Sequence, residues 1–254
     1  MTKTSPAARL GVRFDPSRYP AFAVTVDVVV LTVADGMLQV LLIRRGVPPF
    51  EGMWAIPGGF KRPAETLDQA ARRELAQETG IDGARLVTQF GAYGDPGRDP
   101  RMNVVTIAYL AVLPQVAGIV AGSDAASAAL VPVPEALGSR FEFAFDHARI
   151  VRDAVERVRR DLDLTGGATA FVGRTFTLAE LRAVYEAVWG VRLDGANFRR
   201  RVVAEEGWVI PTGRHVQPGA SGGKPAELFR PGPRWKQGSP IRRSRTRHQG
   251  RTGT

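Results

Sequence analysis

A glycine pair followed by a long amphipathic segment constrains this chain more than any other feature: GGFKRPAETLDQAARRELAQETGI, which ends at Ile81. Thr66, with Gln69 three residues later, forms a capping-box pattern that starts helices. Gly80 is a suitable stop, because glycine adopts the left-handed conformation at little cost. The sequence therefore predicts a helix over 66–79, directly after the glycine loop.

Two carboxylates share one face of this predicted helix, because Glu74 and Glu78 are four residues apart. The loop at Gly58 and Gly59 brings backbone carbonyls close to the same point. Oxygen ligands from a helix and a loop suit Mg²⁺, which prefers a few carboxylates together with phosphates and water. Glu74 and Glu78 are therefore the predicted metal ligands.

The segment resembles the Nudix box, a pattern of glycine, glutamate, arginine and apolar positions at fixed spacings. The matching positions are Gly59, Glu65, Arg73, Glu74, Leu75, Glu78, Gly80 and Ile81, and Gln77 stands where the box has a third clustered glutamate. Metal-assisted diphosphate cleavage needs charge neutralisation and a nucleophilic water. The resemblance implies a diphosphate site at which Glu74 and Glu78 are the catalytic residues. Because the amide of Gln77 removes one negative charge, only residual hydrolysis is expected, unless Asp95, Asp99 or Glu142 compensates.

The segments on either side of the box indicate the ligand. LLIRRGVPPFEGMWAIPGGF resembles the lead-in of Nudix proteins that act on ADP-ribose, and GDPGRDPR supplies a proline after the box, as in ADP-ribose hydrolases. Arginines in a Gly/Pro loop beside a phosphate site suit the role of anion clamps, although a solvated basic loop is the alternative. The predicted effector-binding residues are Arg44, Arg45, Gly58, Gly59, Arg98 and Arg101.

The pattern of apolar residues predicts a mixed sheet around this site. AVTVDVVVLTV and MLQVLLIRR flank Asp35-Gly36, a strong hairpin signal. MWAIPGGF reads as one further short strand, strands follow near 84–92 and 103–113, and AALVPVPEAL suggests a strand that leads into a short helix. Apolar residues at helical spacing predict a helix over 146–162.

A different module follows. Thr177 and Glu180 form a second capping box in FTLAELRAVYEAVWG, and Asp194 can cap GANFRRRVVAE. WVIPTG and AELFR then read as two strands around a basic Gly/Pro-rich loop. Two helices and a basic hairpin look like a winged helix-turn-helix, although a protein-interaction or dimerisation module is the alternative. The predicted DNA-binding residues are Asn197, Arg199, Arg200, Arg201, Arg214 and Lys224.

Charge is distributed unevenly along the 254 residues. Basic and acidic residues balance over 1–155, so the whole net charge of +10 lies in 156–254, which favours a polyanionic partner. The absence of cysteine, of a signal peptide and of a long apolar run predicts a cytoplasmic protein that does not span a membrane.

Over roughly 20–232 the chain closely resembles the Nudix-related transcriptional regulators of NAD metabolism, on FDHARIVRDAVERVRRDL, FTLAELRAVYEAVWGVRLDGANFRRRVV, IPTG and GGKPAELFRPG. The resemblance implies an α/β (α+β) Nudix-fold domain with a C-terminal winged helix-turn-helix domain. The implied divisions are an N-terminal arm (1–20), an effector-binding domain (21–145), a connector helix (146–163), the DNA-binding domain (164–232) and a disordered basic tail (233–254).

The same resemblance implies a repressor that binds a double-stranded DNA operator as a homodimer and senses ADP-ribose or a related NAD-derived nucleotide. Mg²⁺ is a possible cofactor that regulation does not require. The implied targets are genes of NAD synthesis or salvage, or pentose-sugar genes as in some relatives. The alternatives are an ADP-ribose pyrophosphatase whose second domain only dimerises, a bifunctional protein, and an RNA-decapping or RNA-binding Nudix protein.

Overall fold

The computed structural model describes residues 15–81, 86–114, 125–217 and 225–243. A seven-stranded sheet dominates the first half, in the order β3–β2–β1–β6–β5, with β4 beside β1 and β7 beside β2. Strands β1 and β6 are parallel, and the other pairs are antiparallel. The strands are β1 (Ala23–Ala34), β2 (Met37–Arg45), β3 (Trp54–Ala55), β4 (Gly58–Phe60), β5 (Leu86–Tyr93), β6 (Val104–Leu113) and β7 (Ala125–Pro132).

Five helices and a two-stranded hairpin complete the described part of the chain. Before β1, Pro16–Arg18 forms a 3₁₀ turn, and Gly167–Phe171 forms another between α3 and α4. The remaining elements are α1 (Leu67–Thr79), α2 (Val133–Ala136), α3 (His147–Leu164), α4 (Leu178–Trp189), α5 (Gly195–Ala204), β8 (Val209–Val216) and β9 (Ala226–Pro231).

Strand β1 is buried on both faces, which explains its nearly unbroken apolar sequence. Val28 and Val30 face the cluster that contains Leu75 of α1. Val29 and Leu31 face the opposite cluster, which continues through α3 into α4, α5 and the hairpin. One core therefore joins the sheet to the C-terminal module, and α3 lies in the middle of it.

Local signals in the sequence agree with the structure. Both predicted capping boxes form, at Thr66 and at Thr177, and Asp194 caps α5. Asp35 and Gly36 have φ of 52° and 72°, as a tight hairpin turn requires.

The segment MWAIPGGF differs from its prediction, since it forms two strands rather than one. Trp54–Ala55 pairs with β2, whereas Gly58–Phe60 pairs with β1. The chain crosses between these partners at Pro57, whose carbonyl accepts the Val28 N–H at 2.7 Å. This crossing places Gly58 and Gly59 against β1, in the middle of the strand order.

The expectation of a disordered tail from 233 does not hold for 233–243. Ile241 and Ser239 are buried, and Trp208 donates its indole N–H to the carbonyl of Gly238 at 2.7 Å. A single isoleucine gives too weak a pattern for this packing to be predicted from composition. Residues 244–254 lie outside the described part of the chain.

Among the described residues, none of the helices combines the length and the apolar character that crossing a membrane requires.

Candidate functional site

A cavity of about 240 Å³ lies at the edge of the sheet, against β1, β2, β4, α1, the loop 94–101 and the start of α3. Its charged lining comprises the arginines Arg45, Arg98 and Arg101, and the carboxylates Asp27, Glu74, Glu78 and Asp99. The aromatic side chains of Phe60 and Phe145 also line it. The cavity therefore offers both signs of charge and flat apolar surface to a ligand.

The glycine pair forms part of the cavity wall because nothing larger fits there. A Cβ on Gly58 would collide with the Asp27 carboxylate and the Val26 carbonyl. A Cβ on Gly59 would collide with the Glu74 carboxylate. The backbone of the glycine pair therefore approaches the carboxylates of Asp27 and Glu74 closely.

Arg73 binds two carboxylates at the border of the cavity, those of Glu65 and Glu74. Its guanidinium donates to both oxygens of Glu65, at 2.6 and 2.9 Å, and to Glu74 at 2.6 Å. The hydrogen bond from Arg73 is the largest cause that lowers the pKa of Glu65, to about 2. Glu78 lies one helical turn beyond Glu74 and accepts the Gly58 N–H at 2.8 Å. The two predicted metal ligands thus line the cavity, and each accepts a hydrogen bond from within the protein.

Gln77 is exposed and does not line the cavity. Its amide oxygen accepts a hydrogen bond from Arg73 at 3.2 Å. Within the described ranges, no cluster of three or more His, Cys, Asp or Glu side chains is placed to hold a metal ion. Glu74 and Glu78 both line the cavity and are the carboxylates that could hold a Mg²⁺ ion, whose other ligands would be phosphate and water.

Of the three acids that could compensate for the missing glutamate at Gln77, only Asp99 lines the cavity. Asp95 is exposed and pairs with Arg149, and Glu142 is exposed. Asp99 lines the cavity, but both its oxygens accept hydrogen bonds from Arg101, at 2.7 and 3.0 Å. This bonding is the main cause that lowers the pKa of Asp99.

The four predicted effector-binding arginines divide into three that line the cavity and one that does not. Arg101 lies over the rings of Phe60 and Phe145, at 5.2 and 5.8 Å from their centroids. Arg45 lies 5.0 Å from the Phe145 centroid. Arg44 points away from the cavity and donates to the carbonyl of Gly52 at 2.8 Å. Neighbours on a strand face opposite sides, so only one of the pair Arg44-Arg45 can line the site.

Arg98 is held inside a buried network rather than open to a ligand. It donates to both oxygens of Asp146, at 2.7 and 3.0 Å, and lies 3.5 Å from Asp27. Burial opposes its charge, but the hydrogen bond with Asp146 and the charge of Asp27 outweigh burial, so the pKa of Arg98 is raised.

His147, the first residue of α3, completes this network. Its Nδ1 accepts the Ile56 N–H at 3.2 Å, and its Nε2 lies 3.6 Å from Asp27. Burial lowers the pKa of His147, so the neutral ring is favoured, with its proton on Nε2 facing Asp27.

Sequence reasoning missed Asp27, Asp146, His147 and the two phenylalanines as site residues. Asp27 carried a signal, because it is the one charged residue in a largely apolar strand. Asp146 and His147 carried no local signal, since their partners are distant in the sequence.

The C-terminal module presents most of the predicted DNA-binding side chains to solvent. Phe198 and Val202 are buried, which turns Asn197, Arg200 and Arg201 outward on α5. The amide oxygen of Asn197 accepts a hydrogen bond from Arg200 at 2.8 Å.

Two further predicted DNA-binding residues, Arg199 and Arg214, lie on or near the hairpin of β8 and β9. Arg199 pairs with Glu227 of β9 at 3.2 Å and is therefore partly neutralised. Arg214 is exposed on β8, and Lys224 lies outside the described residues. The exposed arginines of α5 and β8 carry the kind of hydrogen-bond donors that suit phosphates and base edges.

Comparisons with known proteins match both halves of the chain. Residues 21–154 match the NUDIX domain, and residues 168–230 match the NrtR DNA-binding winged helix domain. The ADPR responsive transcriptional repressor NtrR of Acinetobacter baylyi is 34% identical over 220 residues, which cover 86% of this chain and 85% of that protein.

Two solved structures from Shewanella oneidensis are also similar. The crystal structure of NrtR complexed with a 27mer DNA is 32% identical, with a TM-score of 0.68 over 82% of this chain and 93% of that chain. The NUDIX domain of NrtR complexed with ADP ribose is 31% identical, with a TM-score of 0.53 over 61% of this chain and 99% of that chain.

Proposed function

The chain belongs to the Nudix-related regulators that carry an NrtR winged helix, and we propose that it is a transcriptional repressor whose Nudix cavity senses ADP-ribose. The observation that carries the proposal is the presence of a diphosphate-sized polar cavity and an arginine-rich recognition helix on one continuous core. The relatives reported above as a repressor, a DNA complex and an ADP ribose complex support it.

Recognition of the ligand follows from the cavity lining. Arg45 and Arg101 would donate charge-assisted hydrogen bonds to the diphosphate. The ring of Phe60, which is 43% exposed, offers a flat surface for a base. Because the lining holds more carboxylates than arginines, a diphosphate also gains from a cation. Glu74 and Glu78 would hold a Mg²⁺ ion that tightens binding, although regulation does not require it.

The coupling to DNA is proposed to run through α3. Asp146 is the N-cap of α3, but its carboxylate binds Arg98 instead of capping the helix. A diphosphate that draws Arg98 toward the cavity would free Asp146 and shift the start of α3. At the other end, Arg159 of α3 donates to the carbonyl of Val188 in α4 at 3.2 Å. Ligand binding can weaken DNA binding only if it favours one arrangement of these elements over another.

Several finer features belong to the proposal as well. The protein acts as a homodimer on a palindromic operator, in the cytoplasm, upstream of genes for NAD synthesis or salvage. A sensor that hydrolysed its effector quickly would erase its own signal. An amide at Gln77 and the lack of a carboxylate cluster among the described residues therefore favour sensing over the alternative of a dedicated ADP-ribose pyrophosphatase.

Two measurements on the full chain test this function. Calorimetric titration with ADP-ribose, with and without Mg²⁺, should show binding in both conditions and tighter binding with Mg²⁺. A gel shift with the promoter region of the neighbouring NAD-synthesis or sugar genes should show a protein–DNA complex, and ADP-ribose should dissociate it. Release of AMP at a rate typical of hydrolases, without any DNA complex, would instead support the pyrophosphatase.

A further inference from the structure

The C-terminal segment, residues 232–243, is fixed to the winged helix although it follows the residues that match that domain. The Ser239 hydroxyl lies 3.0 Å from the buried Tyr185 hydroxyl, and Ile241 is 3% exposed. The N–H of Gly166 donates to the carbonyl of Trp235 at 2.6 Å, and the Arg243 N–H donates to Asp163 at 2.8 Å. Contacts with α3, α4 and Trp208 thus hold this segment in one position.

The C-terminal segment is basic and carries no acidic residue. Arg234, Lys236, Arg242 and Arg243 are all exposed. None of the four forms an ion pair within the part of the chain that the structure describes, whereas Arg157 and Arg159 on α3 are both paired. Cations that are not paired with a carboxylate, held on one surface, produce a positive potential that attracts a polyanion.

This positive surface adjoins the recognition helix. A hollow of about 170 Å³ is lined by Arg234 and Arg242 together with Trp208 and Glu205. Glu205 directly follows the last residue of α5 and is the one acidic side chain in that lining. The segment therefore lies beside the C-terminal end of α5.

We propose that the C-terminal segment is a second DNA-contacting surface, which binds backbone phosphates of duplex DNA beside the site that α5 reads. The inference rests on the proposed function, because it assumes that α5 faces duplex DNA. Phosphate contacts position a protein on DNA without reading sequence, which suits flexible cations on a fixed backbone. Anchoring matters because a side chain on an ordered backbone loses less freedom on binding than one on a free tail.

The test uses the full chain and a labelled random-sequence duplex of about 40 bp, because phosphate binding is independent of sequence. Fluorescence anisotropy over a series of salt concentrations gives the slope of log affinity against log salt. Each phosphate contact contributes about 0.9 to that slope, so Arg242→Ala/Arg243→Ala should reduce its magnitude by about 1 to 2. The control, Arg72→Ala/Arg152→Ala, removes two exposed charges from α1 and the start of α3 and should leave the slope nearly unchanged.

The outcomes separate this inference from the function on which it rests. If the wild type binds the duplex and the double variant shows the same salt slope as the wild type, the inference is overturned and the proposed function stands. If the double variant loses affinity for a single-stranded RNA probe but not for the duplex, the inference is also overturned. A wild-type protein that binds no duplex at all would overturn both. Unchanged circular dichroism and unchanged ADP-ribose binding would establish that the Arg242→Ala/Arg243→Ala protein is folded.

A second variant tests the anchor itself. Ile241→Ala keeps all four cations but removes part of the packing that fixes them. We expect its salt slope to lie between those of the wild type and the double variant. A slope equal to that of the wild type would overturn the claim that a fixed position matters.

Discussion

Arg98 and Asp146 form a doubly hydrogen-bonded ion pair, at 2.7 and 3.0 Å, that joins the wall of the nucleotide cavity to the first turn of α3. The Arg98 side chain is only 4% exposed, so the pair is largely protected from water. A pair in this position links the cavity to the helix that packs against the DNA-binding module.

Weakening this pair should reduce both stability and regulation. Asp146→Asn keeps the shape but removes the charge that compensates buried Arg98, so we expect a loss of about 1–3 kcal/mol in the free energy of unfolding. ADP-ribose should then change DNA affinity less than in the wild type. Urea unfolding and anisotropy titrations measure the two effects. Asp95→Asn, in the exposed pair with Arg149, is the control and should reduce the free energy of unfolding much less, because solvent screens that pair. Equal costs in the two variants would contradict this account.

Arg101 and Arg44 provide a matched test of the cavity. Arg101 lines the cavity beside Phe60, whereas Arg44 is bound to the carbonyl of Gly52 outside it. Arg101→Ala removes a charged hydrogen-bond donor, so ADP-ribose affinity should fall about 10- to 100-fold. Arg44→Ala should change it by less than about twofold. Calorimetric titration measures both, and a reversed order would show that the ligand binds elsewhere.

Gln77 tests why hydrolysis is expected to be weak. Gln77→Glu restores the glutamate of the Nudix box beside Arg73, at the border of the cavity, so Mg²⁺-dependent release of AMP from ADP-ribose should rise about tenfold or more. Ala76→Glu adds the same charge at the neighbouring exposed position and should not increase AMP release. If neither variant gains activity, another feature of the site, such as the engagement of Glu74 by Arg73, blocks catalysis.

His147 should make stability sensitive to pH. Burial lowers its pKa below 6.5, so the unfolded chain takes up a proton at a higher pH than the folded one. The free energy of unfolding should therefore fall as pH drops below about 6.5, with a slope of up to about 1.4 kcal/mol per pH unit. The carboxylates Glu65 and Asp99, whose pKa values are lowered, contribute only at more acidic pH. Urea unfolding between about pH 5 and 7 should show a smaller slope for His147→Gln, and equal slopes would contradict the assignment.

The sequence predicted those parts of the structure that depend on nearby residues. The capping boxes at Thr66 and Thr177 and the turn at Asp35-Gly36 need partners only a few residues away. The Glu74–Glu78 face likewise follows from helical periodicity.

The remainder depends on long-range packing. His147 meets Ile56 across 91 residues, and Arg98 meets Asp146 across 48, which no local pattern encodes. Arg44 and Arg45 were both predicted to bind the effector, although the alternation of side chains along a strand carried the signal that only one of them faces the cavity.

The most direct test of the central claim is an anisotropy titration of ADP-ribose into a preformed complex of the full chain with its labelled promoter duplex. The account predicts that ADP-ribose releases the DNA, that Arg101→Ala requires about tenfold or more ligand for the same release, and that ribose 5-phosphate, which lacks the diphosphate, has little effect. A promoter duplex that the protein does not bind, or binds equally tightly at every ADP-ribose concentration, would contradict it.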